Sequence, residues 1–344
     1  MNKKRLEYFD IYRGLGILLM VMGHIGFGNA FSHYIHGFHM PLFFLVSGYF
    51  TNPEKEKNFL QFFLHISRTI LVPYLVFASI CQPLHYIYTH EYSFRYFLLS
   101  LVTSNHNRID VSGAYWFLLC LFSCKVLFWC VLKLPKMWIQ VIPIIGLTFA
   151  GLFEVTRLPL CLDSAMSMIG IMYVGYILKI IKDEKWVQNA KAIPWWCWLF
   201  ICISGGTTIM INAGINIRCN HYANIWLFLI GCLLTLFGYL GLARWLDKIQ
   251  NRVIQCIINV LKYMGRNSIV FLVLNELVIY TTYLAMNYCG LFKLDEVLSV
   301  RNFFVWTGQL VLTMLGLAFA TEFFNRTIFK VMIGKKIKGF SFFQ

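Results

Sequence analysis

The feature that most constrains this chain is the recurrence of apolar runs close in length to a bilayer crossing. A helix rises 1.5 Å per residue, so about 20 apolar residues cover the roughly 30 Å hydrocarbon layer. Such runs lie near 11–31, 35–51, 68–88, 114–132, 138–153, 163–181, 194–212, 222–243, 263–287 and 302–324, the second and fifth being the shortest. Of the 344 residues 59% are hydrophobic and only 13% charged, where a soluble domain is charged at about one residue in four. The expectation is an all-α, polytopic integral membrane protein of about ten transmembrane helices. No long polar linker divides it, so 1–344 is read as a single membrane domain with no appended soluble domain.

The formal net charge of +15 does not point to nucleic acid, because the basic residues form short clusters between apolar runs rather than one basic face. They act as topology signals. With the N-terminus inside, the outer loops hold Arg95, Arg108, Arg157, Arg218, Lys293 and Arg301. The inner segments collect most of the others, from Lys3, Lys4 and Arg5 to Lys335, Lys336 and Lys338. This bias predicts that both termini are cytoplasmic. Lys3, Lys4 and Arg5 before an apolar run resemble a signal peptide, yet Arg13 and His24 interrupt that run and no small-x-small cleavage site follows. The segment is read as a retained first helix. The eleven cysteines are scattered without metal-ligand spacing, so neither a disulfide framework nor a metal is implied.

Polar residues inside apolar runs mark the chemistry. Arg13 and His24 are eleven residues apart, three helical turns, so both leave nearly the same helix face with about 16 Å of rise between them. Gly14, Gly16 and Gly23 lie along that stripe and permit close approach of a helix or a ligand. Asp10, one turn before Arg13, is placed to pair with it. Arg13 alone reads equally as a snorkelling interface residue. His24 is too deep to snorkel easily and should face a polar cavity, where an imidazole can take and return a proton. In HYIHGFHMPLFFLVSGYF, His33 and His36 suit the outer surface, while His39 begins a helix and can point into the same cavity.

These residues carry a family resemblance. EYFDIYRGLGILLMVMGH followed by GFHMPLFFLVSGYF resembles the acyltransferase-3 family of integral-membrane acyltransferases, and more closely its fucose 4-O-acetylase branch. Weaker echoes follow in family order at Arg68 to Tyr74, Tyr115 to Leu118, Leu162-Asp163, Gly175 and Gly265 to Ser268. The resemblance implies a ten-helix enzyme of a bacterial cytoplasmic membrane. It would move an acetyl group from cytoplasmic acetyl-CoA, used as a substrate with no cofactor bound permanently, to a hydroxyl of a cell-surface or exported carbohydrate. It further implies that Arg13 and His24 are the essential pair and that Arg68 meets CoA phosphates. Where relatives often carry a histidine in the ninth helix, this chain has Asn275-Glu276.

The chemistry agrees with that role. Acyl transfer to an alcohol needs a base for the hydroxyl proton and a cationic or hydrogen-bonding group for the donor. His24 suits the base, directly or through an acyl-imidazole. Arg13, with Asp10 holding it, suits the CoA arm or a phosphate. Glu276 reads as a structural carboxylate paired with Arg266 or as a proton-handling group. Trp116 reads as core or cavity wall ahead of a sugar platform, Lys125 as a snorkelling residue or one meeting a carbonyl, and the 105–110 loop as an acceptor contact or a connector. A secondary transporter or polysaccharide export component is the competing reading, since intramembrane His, Arg and Glu also serve proton coupling.

Overall fold

A computed structural model describes residues 5–54, 58–89, 101, 114–153, 158–183, 193–212, 214–291 and 300–336. The expected polar loop at 105–110 lies outside them. Among the described residues, helices account for all the regular secondary structure apart from an isolated bridge between Asn216 and His221.

The first helix, α1 (Glu7–Ile25), ends where Gly26 takes the left-handed conformation at φ 92° and returns its N–H to the Met22 carbonyl. Short α2 (Asn29–His36) turns the chain, and α3 (His39–Phe50) starts at His39 as expected. Next come α4 (Phe59–Ile66), a π-helical turn at Ser67–Leu71 and α5 (Val72–Thr89). Pro73 accounts for the widened turn, because it has no N–H to give and its ring crowds the preceding carbonyls. The remaining long helices are α6 (Tyr115–Leu132), α7 (Met137–Phe153), α8 (Leu162–Ile180), α9 (Trp195–Ile211), α10 (Ile225–Leu246), α11 (Arg252–Arg266), α12 (Ser268–Tyr288) and α13 (Val300–Arg326).

Among the described residues, six segments are long and apolar enough to cross a membrane: Phe59–Ile80, Tyr115–Leu132, Pro159–Ile180, Ile225–Leu246, Ser268–Tyr288 and Arg301–Arg326. Helices α7 and α9 are apolar but have 17 residues each. Two of the ten expected spans depart from that pattern. Helix α1 carries Glu7, Asp10 and Arg13 in its first two turns, and α3 has 12 residues, about 18 Å. The run near 263–287 is also not one helix. Asn267 breaks it into α11 and α12, its side-chain amide bonding back to the Tyr263 carbonyl.

Helix α1 is the axle of the bundle, packed on α3, α10, α11, α12 and α13, with Phe9, Tyr12, Ile17 and Met20 fully buried. Tyr12 donates its hydroxyl hydrogen to the Leu236 carbonyl of α10 at 3.0 Å. The contact of α3 with α8 shows why small residues recur. A Cβ on Gly48 would strike the Met172 carbonyl, and one on Gly175 would strike the Leu45 carbonyl. The two backbones touch directly, as membrane helices do when dispersion rather than hydrophobic burial holds them together. The glycines of α1 serve the same purpose: Gly14 lies against the Leu261 carbonyl, Gly16 against Leu42 and Phe43, and Gly23 against Ile35. They admit neighbouring helices rather than a ligand.

Candidate active site

A cavity of about 380 Å³ opens beside the start of α1. Arg13 enters it from α1, Ser47 and Phe50 from α3, His65 and Thr69 from α4 and the π turn, and Ser268 and Leu272 from α12. Helix α6 forms one long wall, from Phe117 and Leu118 through Lys125 to Trp129 and Lys133. From Phe117 to Lys133 this wall covers about 24 Å at the helical rise. Among the described residues, its ionisable lining consists of Arg13, His65, Lys125 and Lys133, with no carboxylate. The lining is therefore mostly apolar, with basic side chains entering from α1, α4 and α6, a combination that suits an anionic molecule with an apolar arm.

The guanidinium of Arg13 sits 5.3 Å from the centre of the Phe50 ring, and its buried Nε has no hydrogen-bond partner among the described residues. That leaves a buried cationic N–H at the cavity wall. The expected clamp by Asp10 is looser than the sequence implied. Asp10 is buried and accepts from Arg5 Nε and Nη2 at 2.6 and 2.9 Å and from Arg266 Nε at 3.1 Å, while Arg13 Nη1 is 4.0 Å away. Asp10 ties the start of α1 to the end of α11. Lys262 reinforces that joint through Glu7 at 2.6 Å and Asp247 at 2.8 Å. Burial pulls its ammonium down, but the hydrogen bonds it donates to Asp247 and Glu7 outweigh that and hold Lys262 above the usual lysine range.

Arg266 therefore serves Asp10 and Glu7, and the expected pairing of Arg266 with Glu276 does not occur. Glu276 instead faces His24, with Oε1 3.5 Å from Nδ1. The break at Asn267 puts Arg266 and Glu276 on different helices, so the interval between them does not bring them together. The His24 side chain is 31% exposed and that of Glu276 20%, so the pair lies at the edge of the packed core rather than at its centre. His36 and Arg218 bear electrostatically on His24 from α2 and the 217–219 turn.

His39 is buried, with Nδ1 2.6 Å from the Ile35 carbonyl. A carbonyl only accepts, which puts the His39 proton on Nδ1. Its ring stands edge-on to His36 with centroids 5.6 Å apart. Asn275 is fully buried beside the pair and donates to the Leu272 carbonyl at 2.6 Å and toward Met20 Sδ at 3.9 Å, leaving Oδ1 without a partner among the described residues. Arg68 lies in the π turn with Nη2 3.5 Å from His65 Nδ1, behind the lining rather than in it. Trp116 packs edge-on against Phe117 at 6.3 Å, a second layer of the wall. Lys125, expected to snorkel or meet a carbonyl, is among the residues that line the cavity. Because α6 is apolar all round, nothing in the sequence marks which side it presents.

A family model described as an acyltransferase domain matches residues 6–323. The chain belongs to the acyltransferase-3 family. Neither curated proteins nor solved structures give a match to it. The family and the apolar helices together make it a multi-pass membrane acyltransferase. Within this acyltransferase, helix α1 joins two chemically different places. One is the basic cavity at Arg13, and the other is the His24–Glu276 pair three turns further along.

Proposed function

We propose that this acyltransferase is a membrane O-acetyltransferase, akin to the fucose 4-O-acetylase branch, that moves an acetyl group from cytoplasmic acetyl-CoA to a hydroxyl of a cell-surface or exported carbohydrate. The observation that carries the reading is the carboxylate-free cavity with Arg13, His65, Lys125 and Lys133, joined by one helix to a paired imidazole. In this reading the chain crosses a bacterial cytoplasmic membrane about ten times with both termini inside, as its basic clusters favour. The phosphates of CoA meet the basic side of the cavity, with Arg68 close by through His65, and the pantetheine arm lies along the apolar α6 wall.

Glu276 holds the Nδ1 edge of His24, leaving Nε2 for the acceptor. Nε2 takes the hydroxyl proton while the acceptor oxygen attacks the thioester carbonyl carbon. The carbon–sulfur bond then breaks, and the imidazolium returns the proton to the departing CoA thiolate. A variant route passes the acetyl group through His24 itself. Purified protein in proteoliposomes supplied with labelled acetyl-CoA should release CoA and pass label to a carbohydrate acceptor. Label that stays on CoA and crosses the membrane intact would instead favour a transporter.

A further inference from the structure

The basic cavity stops short of the His24–Glu276 pair, and the same layer of side chains closes it on three helices. Among the described residues, the lining on α12 ends at Leu272, one turn before Glu276, and on α3 at Phe43, one turn before His39. On α6 it ends at Phe117, and on α1 at Arg13. The rings of Phe43 and Phe117 meet edge to face with centroids 5.7 Å apart, and Phe43, Phe117 and Leu272 are each less than 10% exposed. Across from them, a Cβ on Gly16 would already lie 3.3 Å from Phe43 and Leu42, so α1 leaves no slack on its side.

Resting on the proposed function, we propose that Phe43, Phe117 and Leu272 form an apolar collar between the donor cavity and the His24–Glu276 pair, and that this collar restricts the enzyme to short acyl groups. The acyl end of the donor leads the thioester, so it must pass the collar before the carbonyl carbon meets the acceptor. A two-carbon acyl group adds little width or length beyond the sulfur. Each further methylene must either fit beyond the collar or hold the two rings apart, which a close-packed interior resists. One methylene too many in such an apolar site costs about 10–200-fold in discrimination.

The test compares acetyl-CoA, butyryl-CoA and octanoyl-CoA as donors for the full chain in proteoliposomes, reading CoA release and acyl transfer. The native protein should favour acetyl. Phe117→Ala and Leu272→Ala should each raise the butyryl-to-acetyl rate ratio by about tenfold or more. If Phe117→Ala fails to fold, Phe117→Leu should move the ratio in the same direction by less. A side chain that only packs the core would lower all three rates together, so an unchanged ratio in folded variants overturns the collar. No turnover of any donor by the native protein overturns the proposed function instead.

Discussion

Glu276 and His24, drawn from opposite ends of the sequence, face each other at 3.5 Å across the α1–α12 contact. Histidine needs a fixed ring orientation to present one nitrogen to an acceptor, and a carboxylate on the other nitrogen supplies it. Glu276→Gln keeps the shape and removes the charge. It should cut acetyl transfer by about 10²–10⁴-fold, the range of a disabled general base, with little change in KM for acetyl-CoA. His24→Ala should abolish transfer while the protein still inserts. Initial rates on purified variants check both, and a Glu276→Gln variant with native rate removes the pair from the chemistry.

Arg13 and Lys125 approach the same cavity from α1 and α6. Each should contribute a charge-assisted contact to the donor, worth about 1.5–3 kcal/mol. Arg13→Ala and Lys125→Met should each raise the KM for acetyl-CoA by about ten- to a hundredfold. Arg68→Ala should do less, since its guanidinium rests beside His65 and behind the lining. Binding of acetyl-CoA measured by calorimetry ranks the three variants.

Asp10 collects Arg5 and Arg266 more closely than Arg13. Asp10 is buried but Arg5 and Arg266 are 57% and 41% exposed, so losing its charge-assisted hydrogen bonds costs about 1–3 kcal/mol rather than the full cost of breaking a buried pair. Asp10→Asn should therefore lower the melting temperature in detergent while the folded fraction keeps its KM for acetyl-CoA. A raised KM with unchanged melting would return Asp10 to the donor site.

Backbone contact between α3 and α8 sets a sharp steric limit at Gly48 and Gly175. Gly48→Ala and Gly175→Ala should each destabilise by about 1–3 kcal/mol through overpacking. Gly146→Ala, where nothing lies within 4 Å of the new carbon, should be harmless. Thermal unfolding followed by size-exclusion chromatography separates the two outcomes.

Much of the frame was legible in the sequence, because lipid enforces uninterrupted helices and the apolar runs record them. The Arg13–His24 stripe was legible for a related reason: within one helix, spacing fixes direction. What the sequence did not disclose lies between helices. For Glu276 the sequence leaves two readings open, a structural pair with Arg266 or a proton-handling group, and the break at Asn267 turns Arg266 toward Asp10 and leaves Glu276 facing His24. Lys125 sits among apolar neighbours on every side of α6, so periodicity had no polar face to reveal. The short length of α3 was hidden because apolar residues continue on either side of the turn at Gly37 and Phe38.

The unbroken course of α1 from Glu7 to Ile25 has a metrical consequence. Arg13 and His24 are two marks on one stiff ruler, held about 16 Å apart by helical rise. If the donor is anchored at Arg13 as proposed, its reactive group reaches His24 only if its arm has that span. Inserting one residue between the marks would lengthen the ruler by about 1.5 Å and swing the second mark through about 100°. Under the proposed function, the eleven steps from Arg13 to His24 would set the length of donor arm that reaches the imidazole.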